Sequence, residues 1–386
     1  MKIKSIEIKN YKAFLGTYKI NVAGKNLFIY GENGSGKSSW YYAIKDFFQS
    51  SMESINLAAV ENIFVQTADH GKCSIKVKFY SDLTDRRKVK PFVFSGTKND
   101  GKDGTDTSIK DANKLKSFLT YKHLLGIHHV QRGEQIDLFD LLVKGVLTHF
   151  KFSLTHGLEL GMLWQQVEEA TQKETGRHHT ITQKKKEVNA ALKKFNEPFR
   201  ELFNSTSPEF ILRHAEPILE KFNHNITIAL KYCQARPSTD YTRIEQNQVD
   251  LILTYGGKKI DKPHLFLNEA RLSAIAISIY LGMIKRHPQG IPCKILFLDD
   301  IFIGLDIANR LPLLKILKDD FKEYQIFITT YDKPWYEYAK SYLEGAEGWM
   351  TKEFYAQETK AGYEIPRIES NTDFLKKANF HFNKRC

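Results

Sequence analysis

The chain has 386 residues, 42% of them hydrophobic, enough to bury a substantial core in one large domain or two to three ordinary ones. Fifty-seven Lys and Arg against 45 Asp and Glu leave a formal charge of +12, a balance that favours a polyanionic partner such as nucleic acid. The longest apolar runs, 295–298 and 326–328, fall far short of the roughly 20 residues needed to cross a bilayer, and Cys73, Cys233, Cys293 and Cys386 lack C-x-x-C spacing; a membrane span, a zinc ribbon and a disulfide framework are therefore not expected.

Residues 3–8 alternate apolar and polar positions like a half-buried strand, unlike the unbroken apolar stretch of a secretion signal, so the expected compartment is the cytoplasm with no membrane partner. Further strands are expected at 18–22, 27–30, 73–79 and 92–94. Segment 98–111, dense in Gly, Asp, Thr and Lys, reads as a solvated loop without the residue order of a calcium loop. From about 154 to 203 the pattern turns helical with a break at 175–179, which predicts a short helical hairpin whose return limb carries the basic run 183–194. Limbs of about 20 residues reach only about 30 Å, too short to tether distant DNA segments. Strand patterning resumes at 248–255. The chain thus divides into an N-terminal lobe (1–150), a helical insertion (151–225) and a C-terminal lobe (226–386).

Between the apolar run 27–30 and a helix-compatible run at 39–48 lies Gly31-Glu32-Asn33-Gly34-Ser35-Gly36-Lys37-Ser38, which fits G-x-x-x-x-G-K-[ST] in full. The glycines let the backbone curl so that successive N–H groups face a phosphate chain, and the helix dipole adds positive potential. Gly31, Asn33, Gly34, Ser35, Gly36, Lys37, Ser38 and Ser39 are the expected ATP-binding residues, with Lys37 on the β and γ phosphates and Ser38 on Mg2+. Residues 295–298 end in Asp299 and Asp300, a strand end suited to a sheet covered on both faces. Asp299 is expected in the magnesium shell, since hard cations take oxygen ligands, and Asp300 is expected to orient or deprotonate the attacking water. Leu272, Ile275, Ala276, Ile279, Tyr280 and Met283 share one helical face, placing Asn268 at the N-cap beside free N–H groups, a ready anion site. The pairs at 128–129 and 178–179 are not expected to ligate metal, because adjacent strand residues face opposite ways.

The order of these parts resembles the head domains of SMC, RecF and the coiled-coil DNA-break repair ATPases, all of the ABC class. Residues 31–38 fit the narrower G-x-N-G-x-G-K-S form common there. His129-Val130-Gln131-Arg132-Gly133-Glu134 resembles the Q-loop, which implies that Gln131 touches magnesium and senses the γ phosphate. Gly304-Leu305-Asp306 resembles the D-loop, and Phe327-Ile328-Thr329-Thr330-Tyr331-Asp332 the switch loop, which implies nucleotide contacts for Asp306 and Tyr331. The resemblance covers the first 150 residues and about the last 130. It implies an α/β fold, an ABC-type P-loop ATPase head with a mixed or parallel sheet, an antiparallel β lobe and an inserted helical hairpin.

Three departures stand out. Leu267-Asn268-Glu269-Ala270-Arg271 replaces the usual Leu-Ser-Gly-Gly-Glu, Asp300 stands where the family has Glu, and Tyr331 stands where it has the switch His. ATP binding with slow hydrolysis to ADP and phosphate is the expectation. Asn-Glu-Ala-Arg-Leu-Ser at 268–273, with Leu138-Phe139-Asp140-Leu141-Leu142, further resembles the compact SMC-like ATPases of bacterial anti-phage systems such as PARIS. That likeness implies a homo-oligomer of ATP-sandwiched heads acting as a sensor or switch for an effector protein, a nuclease or toxin. The alternative is a RecF-like DNA-binding ATPase in repair or recombination. A self-contained nuclease has no support, because Asp299 and Asp300 belong to the ATP site and no separate acidic cluster or H-N-H-like motif is present.

Overall fold

The computed structural model describes residues 1–121, 136–152, 157–176, 180–286, 290–343 and 348–370. In chain order the N-terminal elements are β1 (Lys2–Tyr11), β2 (Phe14–Asn21), β3 (Asn26–Gly31), α1 (Lys37–Gln49), β4 (Ser74–Tyr80), β5 (Val89–Ser95), α2 (Asp100–Asp103), α3 (Ser108–Lys114) and β6 (Phe118–Thr120). A π-helical turn, Leu141–Val146, precedes α4 (Leu160–Gln172), α5 (Ile181–Glu201) and α6 (Leu212–Glu220). Then follow β7 (Ile226–Pro237), β8 (Ile244–Tyr255), β9 (Lys258–Ile260), α7 (Pro263–Phe266) and α8 (Glu269–Arg286). The chain continues through β10 (Ile295–Asp299), α9 (Ile307–Asp320), β11 (Gln325–Thr330), α10 (Lys333–Leu343), β12 (Trp349–Glu358) and β13 (Glu364–Glu369).

Three sheets form. The central one runs β13-β12-β3-β11-β10-β6, parallel except for β13, while β2-β1-β4-β5 and β7-β8-β9 are antiparallel. The central strands are apolar on both sides because both faces are covered, as parallel strands require. Along β3, Leu27 and Ile29 join a core with α1 and the first antiparallel sheet, whereas Phe28 and Tyr30 join a core with α8. Strand β10 divides the same way, Phe297 to one side and Leu296 and Leu298 to the other. No helix among the described residues is long and apolar enough to cross a membrane.

The expected hairpin corresponds to α4 and α5, which pack on each other. Thr180 opens α5 with a capping box, its Oγ accepting from Gln183 N while the Gln183 side chain accepts from Thr180 N. The hairpin does not stand off as a stalk: Trp164, Val188, Leu192, Phe195 and Phe199 belong to the core cluster that also holds α8. Segment 98–111 departs from the expected loop. It holds α2 and the start of α3, because Asn99 caps α2 by accepting from Lys102 N at 3.1 Å and Ile109 and Ala112 give α3 a buried face.

Candidate nucleotide site

Strands β3, β11, β10 and β6 run parallel in register, with Tyr30 opposite Thr330, Leu298 opposite Ile328 and Asp299 opposite Thr120. The segments leaving their carboxyl ends therefore emerge along one edge, where open α/β sheets place ligands. Gly31, Asp300 and Tyr331 are the residues at that edge.

The phosphate loop spans from β3 to α1 in a single tight curl. Gly36, the N-cap of α1, holds φ 93°, and a Cβ there would lie 2.6 Å from Pro366 Cγ on β13. At Gly31 a Cβ would lie 2.4 Å from Ser35 Oγ, so the loop closes only without a side chain at either point. Lys37 is buried, and its Nζ donates to the carbonyls of Gly31 at 2.6 Å and Glu32 at 3.1 Å. Burial pulls the Lys37 pKa below its usual value, while Asp300, Asp299 and Glu32 favour its charged form. Phosphate loop and strand-end carboxylates thus share one electrostatic neighbourhood. Ser35 Oγ is buried without a hydrogen-bond partner, and α1 leaves its first amides without intrahelical acceptors. Asn33, Gly34 and Ser38 are exposed; Ser39 is half-buried, its Oγ accepting from Ala13 N at 3.3 Å.

Asp299 is buried and accepts from Thr329 Oγ at 2.7 Å, and the same Thr329 oxygen accepts from Asp300 N at 3.0 Å. One threonine therefore orients both carboxylate residues. Asp300 sits at φ 51°, a left-handed conformation that Asp and Asn tolerate better than other side chains. Its Oδ1 is buried with no hydrogen-bond partner. Burial raises the Asp300 pKa, opposed by the Lys37 ammonium and the Tyr331 backbone amide. A buried carboxylate oxygen without a donor, next to a lysine held only by carbonyls, is a site whose charges lack their complement. Triphosphate and a hard divalent cation fit that gap. The Ser38 hydroxyl and the Asp299 carboxylate could serve as oxygen donors for magnesium, which would supply charge neutralisation on the phosphates.

Residues 2–347 match the family described as the RecF/RecN/SMC N terminal domain. The chain belongs to this family. Its fold is that of SMC heads, an ABC-type ATPase fold: the crystal structure of an SmcHead bound to the C-winged helix domain of ScpA is 14% identical, with a TM-score of 0.51, covering 98% of this chain and 100% of that one. An Smc head with an extended coiled coil bound to the C-terminal domain of ScpA, from Pyrococcus furiosus, is 15% identical at TM-score 0.45, covering 99% of each chain. The SMC head domain from Thermotoga maritima is 12% identical at TM-score 0.43, covering 97% of this chain and 100% of that one. Among curated proteins none matches in sequence.

The remaining expected residues of this SMC-family head are not all gathered at the loop. Gln131 lies outside the described residues; β6, which leads toward it, ends at Thr120 beside Asp299. Tyr331 is 45% exposed just beyond β11. Asn268 is exposed and caps α8, its Oδ1 accepting from Arg271 N at 3.0 Å. Asp306 caps α9, accepting from Asn309 N at 3.0 Å and Asn309 Nδ2 at 2.8 Å, while Asn309 Oδ1 meets His224 Nε2 at 2.6 Å. Asn268 and Asp306 therefore spend their side chains on helix starts within this chain.

Three contributors escaped the sequence reading. Thr329 was read only as part of the switch-loop run, with no role of its own. Arg310 ties the loop after β10 to the loop after β11, donating from Nε to Leu305 O at 2.8 Å and pairing through Nη1 with Asp332 Oδ2 at 2.5 Å. Its partner is 22 residues away, so no local pattern could show it. Glu353, opposite Tyr30 on β12, is buried and paired with Lys333 at 3.0 Å, which buttresses the strand that feeds the loop.

Proposed function

We propose that this chain is a nucleotide-gated switch: it binds Mg-ATP, hydrolyses it slowly to ADP and phosphate, and through its nucleotide state controls a separate nuclease or toxin in anti-phage defence. The observation that carries the reading is the pairing of a buried Lys37, held by the loop carbonyls, with a short carboxylate at Asp300 whose Oδ1 is buried without a hydrogen-bond partner. Lys37 holds the phosphates, Ser38 and Asp299 hold the cation, and Asp300 orients the attacking water with less reach than a glutamate. Gln131 reads the γ phosphate. Two heads close on ATP in a homo-oligomer, each lending Asn268 to its neighbour's nucleotide, with Asp306 and Tyr331 as further nucleotide contacts. ATP bridging two heads binds the closed state better than the open one, as a switch requires. Among the described residues no group of three or more His, Cys, Asp or Glu could hold a metal ion, so the destructive reaction is assigned to the partner.

The +12 charge supports nucleic acid as trigger or cargo, with binding that falls steeply as salt is added. The same charge favours the second reading, a RecF-like factor in DNA repair. Phage challenge separates the two: cells carrying this gene with its native neighbours are compared with cells lacking the neighbouring effector gene and with cells carrying Lys37→Ala. Protection should require both. Equal protection by this chain alone, unchanged protection with Lys37→Ala, or DNA-damage sensitivity as the sole phenotype would each sink the switch.

A further inference from the structure

Two turns beyond Lys37, toward the other end of α1, a cavity of about 210 Å³ opens between α1, α3, β6, the π-helical turn and α8. Lys45, Lys116 and Lys144 line it together with Asn113 and Tyr280, and no carboxylate is among the described lining residues. Asn113 is 6% exposed, and its Nδ2 has no hydrogen-bond partner. A buried amide donor left open is costly unless a ligand or water completes it.

The surrounding charges favour an anion over water. Lys45 forms no ion pair among the described residues, and its ammonium is disfavoured first by burial and further by Lys116, with Asp46 and Glu53 opposing. Asp46 is already engaged, accepting from Tyr11 OH at 2.5 Å. Lys116 reaches Glu53 at 3.5 Å, and Lys144 reaches Asp140 at 3.2 Å and Glu168 at 3.8 Å, carboxylates that are 46%, 74% and 43% exposed and so sit at the solvent side. Lys114, next to the rim, is taken by Asp111 at 3.3 Å. The carbonyls ending α1 would repel an anion, but they are engaged: Ser50 Oγ donates to Phe47 O at 2.9 Å, Ser51 Oγ to Phe48 O at 2.6 Å and Asn99 Nδ2 to Ser50 O at 3.0 Å. Tyr280 OH likewise donates to Lys116 O at 2.6 Å.

We propose that this cavity is a second anion site, separate from the phosphate loop, which takes a phosphate group between the Lys45, Lys116 and Lys144 ammoniums and the Asn113 amide. A phosphate compensates the lysine ammoniums that line the cavity through charge-assisted hydrogen bonds and brings an acceptor beside the Asn113 amide, a charge compensation that a water molecule cannot supply. Free inorganic phosphate and the phosphate of a small ester present the same chemistry.

The test uses the full chain carrying Lys37→Ala, so that the phosphate loop no longer competes, and titrates inorganic phosphate and AMP at constant ionic strength by calorimetry. Saturable binding is expected, weakened at least about tenfold when Lys45→Gln or Lys144→Gln is added, the size of one lost charge-assisted hydrogen bond. Equal affinity for the two probes assigns free phosphate as occupant; tighter AMP assigns a phosphate ester. Lys144 is 52% exposed, so Lys144→Gln keeps the test valid if Lys45→Gln fails to fold. Absence of saturable binding in the Lys37→Ala chain, or binding undiminished by both added substitutions, overturns the proposal.

Discussion

The phosphate loop and the start of α8 both present a helix N-terminus, yet they stand in opposite states. At α1 the loop is closed by tertiary contacts from β12 and β13, Lys37 is buried, and Asp299 and Asp300 sit within its field. At α8 Asn268 is exposed and, among the described residues, its side chain bonds to its own helix. One end is a closed loop around a buried lysine; the other is a capped helix facing outward. Under the proposed function the contrast teaches that a single head would hold nucleotide by itself, while whatever Asn268 does for the nucleotide would depend on a second molecule.

The sharpest way to break this comparison is Lys37→Ala. We expect ATP affinity to fall by at least about 100-fold, since a buried ammonium on two phosphates makes several charge-assisted bonds, with little change in melting temperature. Equal affinity by calorimetry would show that the loop is not the grip.

Asp300→Asn should act next most strongly. Turnover should fall by about 100-fold, the lower range for losing a general base or its equivalent, while ATP stays bound through Lys37, Ser38 and Asp299. The same change should raise the stability of the nucleotide-free chain at neutral pH by about 1 kcal/mol. The sign follows from the raised pKa: the stability of the protonated form is complete below the unfolded value near 4 and is lost as pH rises through the higher folded value. Asn keeps the left-handed φ without the buried charge, so its advantage should vanish below about pH 4. A lower melting temperature at pH 7 would contradict the assignment of burial as the dominant cause.

Asn268→Asp carries the smallest expected effect. Asp caps a helix as well as Asn does, so monomer stability should change by less than about 0.5 kcal/mol. ATP-dependent association should weaken by about five- to tenfold, because a carboxylate then faces phosphate charge across the interface. Light scattering with and without ATP checks this; a mass independent of ATP in both proteins removes the trans role.

Much of this was legible along the chain because it depends on local chemistry. The G-x-N-G-x-G-K-S run requires both its glycines and its flanking strand and helix, so residues 31–38 carry their own context. The apolar run ending in Asp299 and Asp300 marks a covered parallel strand, and the face from Leu272 to Met283 marks the helix that Asn268 caps. Segment 98–111 was misread because its polar majority hides a one-turn apolar face at Ile109 and Ala112. Asp306 was read for its loop position, whereas its carboxylate is committed to Asn309.

By itself, then, the sequence determined the phosphate loop, the strand-end carboxylates, the helix caps and the α/β class, since each rests on residues within a few positions of one another. Only the tertiary structure decided what brings them together. Thr329 orients both aspartates because β11 lies beside β10, Arg310 joins two loops because those strands end on one edge, and Pro366 closes over Gly36 because β13 follows β12 back to the loop. The three lysines around Asn113 come from α1, the link between α3 and β6, and the π-helical turn, separated by up to about 100 residues, and their meeting follows from strand order and helix packing, which no local pattern records.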